Sequence, residues 1–234
     1  TGPAGTARAS VVSRLRVAAI AAAALWLAGC AGLYFTPVAE PQEALRFSLA
    51  ELPVREVWSG LVMNGEKVGF SHSSISRADT RGRFELRSEA AMAFRLLGFN
   101  KQVTLKALDV VDGELALVHF AYDYDIDGSR LELTGAVREA RLEVEVRNAG
   151  RTTHLTFPSA GPLRPSSAIT LYPLIHGLSV GREYVYPVFN GETQSVAEVT
   201  QRVEGFERSE LFEGEAWKVV TALQGFETSS WIDR

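Results

Sequence analysis

One cysteine in 234 residues, Cys30, leaves the chain without a disulfide framework,. Basic residues are also in deficit, 24 Lys and Arg against 28 Asp and Glu. A nucleic-acid partner needs a basic face, and so does adhesion to anionic headgroups, so neither is expected. The four histidines, His72, His119, His154 and His176, are scattered with none of the spacings used by zinc sites, and no metal or cofactor is expected,. Asp123, Asp125 and Asp127 followed by Gly128 echo the start of a calcium loop. The twelfth position from Asp123 is Thr134, however, and Glu132 is off register, so solvated acids at a hairpin end are the reading adopted,. There is no Gly-x-Ser-x-Gly elbow, which leaves a hydrolase only with a Ser-His-Asp set assembled in space,. Long apolar runs are scarce: Val17 to Gly29 falls short of the roughly 17 to 25 residues that span a bilayer,.

That short run is nevertheless informative. Arg8, Arg14 and Arg16 precede it and small residues end it at Leu27-Ala28-Gly29-Cys30, the three-part layout of a secretory signal,. The stretch resembles the lipobox of bacterial lipoproteins. The resemblance implies cleavage before Cys30, a diacylglyceryl thioether on its thiol, and sorting by the next residue, Ala31, which is not the Asp tied to inner-membrane retention. The implied place is the outer membrane, facing the periplasm, with the membrane as partner through covalent lipid. Several acyl chains would anchor the protein permanently, since each buried methylene contributes about 0.8 kcal/mol. Without residues 1–29 the chain keeps 21 basic residues against 28 acidic ones, about minus seven.

Three segments are expected: 1–29 as signal peptide, with a signal-peptide helix, 30–55 as a surface tether marked by Pro37, Pro41 and Pro53, and 56–234 as one β domain,. From residue 56 the hydrophobic period is two. Phe84, Leu86, Ser88, Ala90, Met92 and Phe94 share one face, while Arg83, Glu85, Arg87, Glu89 and Arg95 share the other. Leu142, Val144 and Val146 repeat the pattern, as do Leu131 with Leu133 and Trp217, Val219, Thr221 with Leu223. Such alternation marks antiparallel strands with one wet face. Asn64-Gly65, Asp112-Gly113, Asp127-Gly128, Asn148-Ala149-Gly150 and Asn190-Gly191 supply the turns of hairpins between sequence neighbours,.

Within the β domain only Pro165 to Leu178 reads as helical, with Ser166 or Ser167 as cap, Gly177 as stop and Pro173 shortening or kinking it,. The expected fold is therefore all-β: an antiparallel meander of ten to twelve strands curled into a half-barrel, with one short helix near 165–178.

Trp58 followed by Met63-Asn64-Gly65-Glu66-Lys67-Val68-Gly69-Phe70 resembles the opening hairpin of the β-rich region that precedes the catalytic domain in certain bacterial transglutaminase-like lipoproteins. Ser230-Trp231-Ile232-Asp233 resembles that region's last strand, and the general shape is similar to the half-barrels of the LolA and LolB carriers. The chemistry of that family needs a thiolate beside a His, and Cys30 is committed to lipid. Thr1 is not a start methionine and the chain stops just after a strand-like stretch, so catalytic residues are expected downstream. No residue of this chain is assigned a catalytic role. The resemblance implies a membrane-anchored, non-catalytic accessory or substrate-presenting domain. An alternative is a stand-alone carrier or chaperone for an apolar ligand such as a lipid, with Phe70, Phe84, Met92, Phe94 and Phe120 lining the groove or, on the plainer reading, filling the core,.

Overall fold

The computed structural model describes residues 34–63, 65–96 and 99–233, so the expected signal peptide, Cys30 and Ala31 lie outside the described residues. Eight strands follow one another into one sheet: β2 (Glu56–Met63), β3 (Glu66–Arg77), β4 (Arg83–Leu96), β5 (Phe99–Asp112), β6 (Leu117–Ile126), β7 (Ser129–Arg138), β8 (Arg141–Asn148) and β9 (Arg151–Pro158). Each pairs antiparallel with its sequence neighbour, and the two ends are not joined. The chain is thus an all-β meander, curled but not closed into a barrel.

The meander does not continue to the end of the chain in one piece. A second sheet holds β10 (Arg164–Pro165), β11 (Glu183–Asn190), β12 (Ser195–Ser209), β13 (Glu215–Leu223) and β14 (Phe226–Asp233), with β1 (Phe35–Pro37) antiparallel to β12. Fourteen strands are formed among the described residues, more than the period alone separates, because β1 and β10 are only three and two residues long.

Two-residue turns form at Asp127-Gly128 and Ala149-Gly150, while Asp112-Gly113 and Asn190-Gly191 open loops of four residues. Asp127-Gly128 has φ of 54° and 82°, and Ala149-Gly150 has 48° and 77°, the positive values that two-residue hairpin turns require,. Glu139-Ala140, at 47° and 61°, adopts the same conformation without a glycine.

The helical segment is short and irregular, as expected. A 3₁₀ turn covers Ser166–Ala168, and α1 (Tyr172–His176) holds Pro173 in its first turn, where the missing N–H costs no hydrogen bond,. Gly177 ends it with φ of 100°. Ser166 and Ser167 lie too far ahead of α1 to cap it: Ser166 Oγ donates to the Phe189 carbonyl at 3.0 Å, and Ser167 Oγ turns into the large sheet.

This segment lies between the sheets and joins their cores. Leu163 packs with Phe120, Leu133, Leu142 and Val144 of the large sheet; Ala168 and Ile175 pack with Phe84, Leu86 and Val111; Leu178 packs with Tyr184, Val199 and Trp217 of the second. Buried Gln201 ties it down, accepting from Tyr186 Oη at 2.6 Å and donating to the Ile169 carbonyl at 3.1 Å. Arg164 is also buried, with its guanidinium 4.9 Å from the Tyr172 ring centre.

Residues 34–55, expected as a surface tether, are part of the folded unit. β1 pairs with β12, the backbone bridges at Leu45 and Leu178, and Leu49 and Leu52 are buried against Phe84 and Leu115. The apolar spacing of Leu45, Phe47, Leu49 and Leu52 fits neither helix nor regular strand, yet burying such side chains stabilises the fold by about 1.5–3 kcal/mol each.

Candidate functional site

Cover over only one end of two long strands creates the site. β4 and β5 have 14 residues each, and Phe84, Leu86 and Val111 at one end of them pack beneath Ala168 and Ile175, while the other end is less buried. Cross-strand rows on the inner face record the change. The row Leu86, Asp109, Phe120 is buried; the next, Ser88, Ala107, Tyr122, is half open; beyond it Ala90, Leu105, Tyr124 and then Met92, Val103, Ile126 emerge, with Ile126 51% exposed.

Where the buried and open parts meet, a cleft of about 350 Å³ opens between the sheets. Ser88 and Ala107 leave it unfilled by being small. Leu105, Tyr122, Tyr124 and Leu223 give it apolar walls, and Asp109, Ser167 and Glu192 give it polar ones.

Asp109 is 2% exposed and has no cationic partner among the described residues. Tyr122 Oη donates to its Oδ1 at 2.5 Å and Ser167 Oγ donates to its Oδ2 at 2.6 Å. Burial raises the carboxyl from 3.8 to about 6, against the lowering effect of both hydroxyls,. The Tyr122 hydroxyl is in turn pushed well up by its own burial and by the Asp109 charge. A perturbed carboxyl in a cleft is the pattern that marks functional sites. No His belongs to this group, so the Ser-Asp pair here lacks the base that a nucleophilic serine requires,.

Gly191 seats the tyrosine. A Cβ there would meet Tyr122 ring carbons at 2.5 and 2.6 Å and Tyr124 Oη at 2.9 Å. Gly191→Ala is expected to displace the ring from Asp109 and cost about 1–3 kcal/mol, the range of core overpacking. Gly161→Ala, where no atom lies within 4 Å of the added methyl, serves as the neutral control in denaturant titrations. Equal midpoints for the two variants would show that Tyr122 is not held as described.

The five residues expected to line one groove are not brought together. Phe84 and Phe120 are fully buried, in two different core clusters. Met92 and Phe94 lie on the open part of the inner face, outside the lining of the cleft. Phe70 is on the opposite face: Gly69 pairs with Met92, so Phe70, one residue on, points outward and packs 5.8 Å from the Trp58 ring. A one-residue step in a strand changes the face.

Asp109 and Ser167 escape a reading by sequence because they are 58 positions apart. One signal was available: Asp109 falls in the inward phase of Leu105, Ala107 and Val111, the only acid there.

The outer face holds a larger groove, about 590 Å³, lined by His72, Arg87, Glu89, Lys106, Asp123 and Glu132. Its charges largely satisfy one another, as in Lys106 with Glu89 at 3.8 Å and Arg130 with Asp123 at 2.6 Å and Glu132 at 2.9 Å, in exposed pairs. It offers no buried group with altered chemistry, so the smaller cleft is the candidate. The aspartates of the calcium-loop echo are engaged by the protein: Asp123 by Arg130, Asp125 by the Gly128 N–H at 2.7 Å and Asp127 by Lys101 at 2.5 Å. Arg130 and Lys101 hold the carboxyls of Asp123 and Asp127 below their usual value.

No family model matches the chain, and no curated protein does. Among solved structures it is similar to the β-barrel-like protein of domain of unknown function DUF1849 from Brucella abortus, at 9% identity and a TM-score of 0.45, over 67% of this chain and 70% of that one.

Proposed function

We propose that this protein is a non-catalytic binding domain, lipid-anchored at Cys30 in the bacterial envelope, that holds an apolar ligand in the cleft between its sheets. The observation that carries the reading is the stretch of inner face that no described residue covers fully, Ala90, Met92, Val103, Leu105 and Ile126, leading into that cleft. A half-exposed apolar surface continuous with a concave site is what an acyl-type body requires. The accessory role implied by the transglutaminase-like resemblance would use the same cleft to present a substrate. It rests on the two short stretches alone, which form the β2–β3 hairpin and β14.

Native mass spectrometry of purified Cys30→Ser protein is expected to show a copurifying lipid or uptake of a ten-carbon chain. Metabolic labelling with an alkynyl fatty acid is expected to mark the wild-type chain and not Cys30→Ser. A ligand-free mass with no uptake of any chain would remove the binding reading, and equal labelling of both proteins would remove the anchor.

A further inference from the structure

The polar end of the cleft has a definite sign. Its ionisable lining is Asp109, Glu192, Tyr122 and Tyr124, and among the described residues no Lys, Arg or His lines it. Burial, Glu192 and Asp109 together push the Tyr124 hydroxyl upward, which places both carboxylates within electrostatic reach of that ring. Each oxygen of Asp109 accepts one bond from the protein, and a carboxylate oxygen has room for about two,. A buried carboxylate whose only partners are neutral hydroxyls is an uncompensated charge, which is costly unless a cation meets it. Apolar positions lead outward from this end along Leu105, Val103 and Ile126.

We propose that the cleft selects ligands with an ammonium head on an apolar chain, the head entering between Asp109, Glu192 and the two tyrosines and the chain lying on the open face. The inference rests on the binding reading above and names its ligand class. A fatty acid, with the same body and the opposite charge, would place a carboxylate against two others.

Calorimetric titration of the Cys30→Ser protein with decylamine, decanol and decanoate, below their micellar concentrations and at pH 7.5, tests it. Decylamine is expected to bind about tenfold more tightly than decanol, with decanoate weakest, as a charge-assisted hydrogen bond implies. Asp109→Asn is expected to abolish most of that preference, so that decylamine and decanol bind about equally, whatever the common affinity of the two. Glu192→Gln, at an exposed turn position where folding is not at stake, is expected to reduce it by a few fold,. Decanol or decanoate binding as well as decylamine would overturn the cationic class and leave the cleft standing. Binding of none of the three would overturn the cleft as well.

Discussion

Trp217→Ala is expected to cost about 3–5 kcal/mol, a large part of the roughly 5–15 kcal/mol that holds a domain folded. Trp217 has no exposed surface and is the largest side chain in the second sheet's core, with the Phe206 ring 4.7 Å away and Val219, Val203 and Tyr184 in the same cluster. Its indole N–H also donates to Glu40 Oε1 at 3.1 Å, the oxygen that accepts from the Val180 N–H at 2.7 Å. Truncation would open a cavity and release the segment before β2 in one step. Trp58→Ala provides the contrast. Trp58 is 63% exposed on edge strand β2, so its loss is expected to fall within about 0.5 kcal/mol despite the stacking on His72 at 4.0 Å,. Urea titrations of both variants decide the matter, and a Trp217→Ala loss below about 1 kcal/mol would mean that the second sheet is not packed as described.

The strands that alternate most strictly were legible in the sequence. In β8, Leu142, Val144 and Val146 are buried at 0%, 2% and 7% exposure, just as their period implies, because each sits under a continuous layer of side chains. Alternation identifies a strand's faces but not what covers them, and so the division of the meander at β9 and β10 left no trace in it. That division depends on the irregular 159–182 stretch and on a two-residue parallel pairing of β10 with β11. Leu49 and Leu52 illustrate the same limit: their burial comes from partners in β4 and in α1, dozens to more than a hundred positions away. Phe70 shows a different one, since its face is set by the register of Gly69 opposite Met92. Of the residues expected to line a groove, none lines the cleft, and its polar end left no pattern in the sequence beyond the inward phase of Asp109. Asp109, Tyr122, Ser167 and Gly191 come from β5, β6, the 3₁₀ turn and the β11–β12 turn, and only the packing of one sheet on the other unites them.

Asp109→Asn is expected to make the protein more stable than wild type at neutral pH and about equal to it in acid. The folded carboxyl titrates at about 6 and the unfolded one at 3.8, so the native state holds its proton more tightly. The stability this contributes is fully present below 3.8 and is lost as pH rises through about 6, a decline of about 3 kcal/mol by pH 7 to 8,. An amide carries no charge to desolvate. Its Oδ1 can still accept from Tyr122, and its N–H can donate to Ser167 Oγ, so the variant keeps both contacts without the decline. The exposed carboxylates of Asp123, Asp127 and Glu204 are shifted downward and act in the opposite sense, but they are common to both proteins and cancel in the difference. Unfolding free energies of the two proteins at pH 4 and pH 8 therefore isolate the one buried group. A gap that stays constant across that range would show that Asp109 is solvated, and with it the charge on which recognition in the cleft depends would be as cheap as any on the surface.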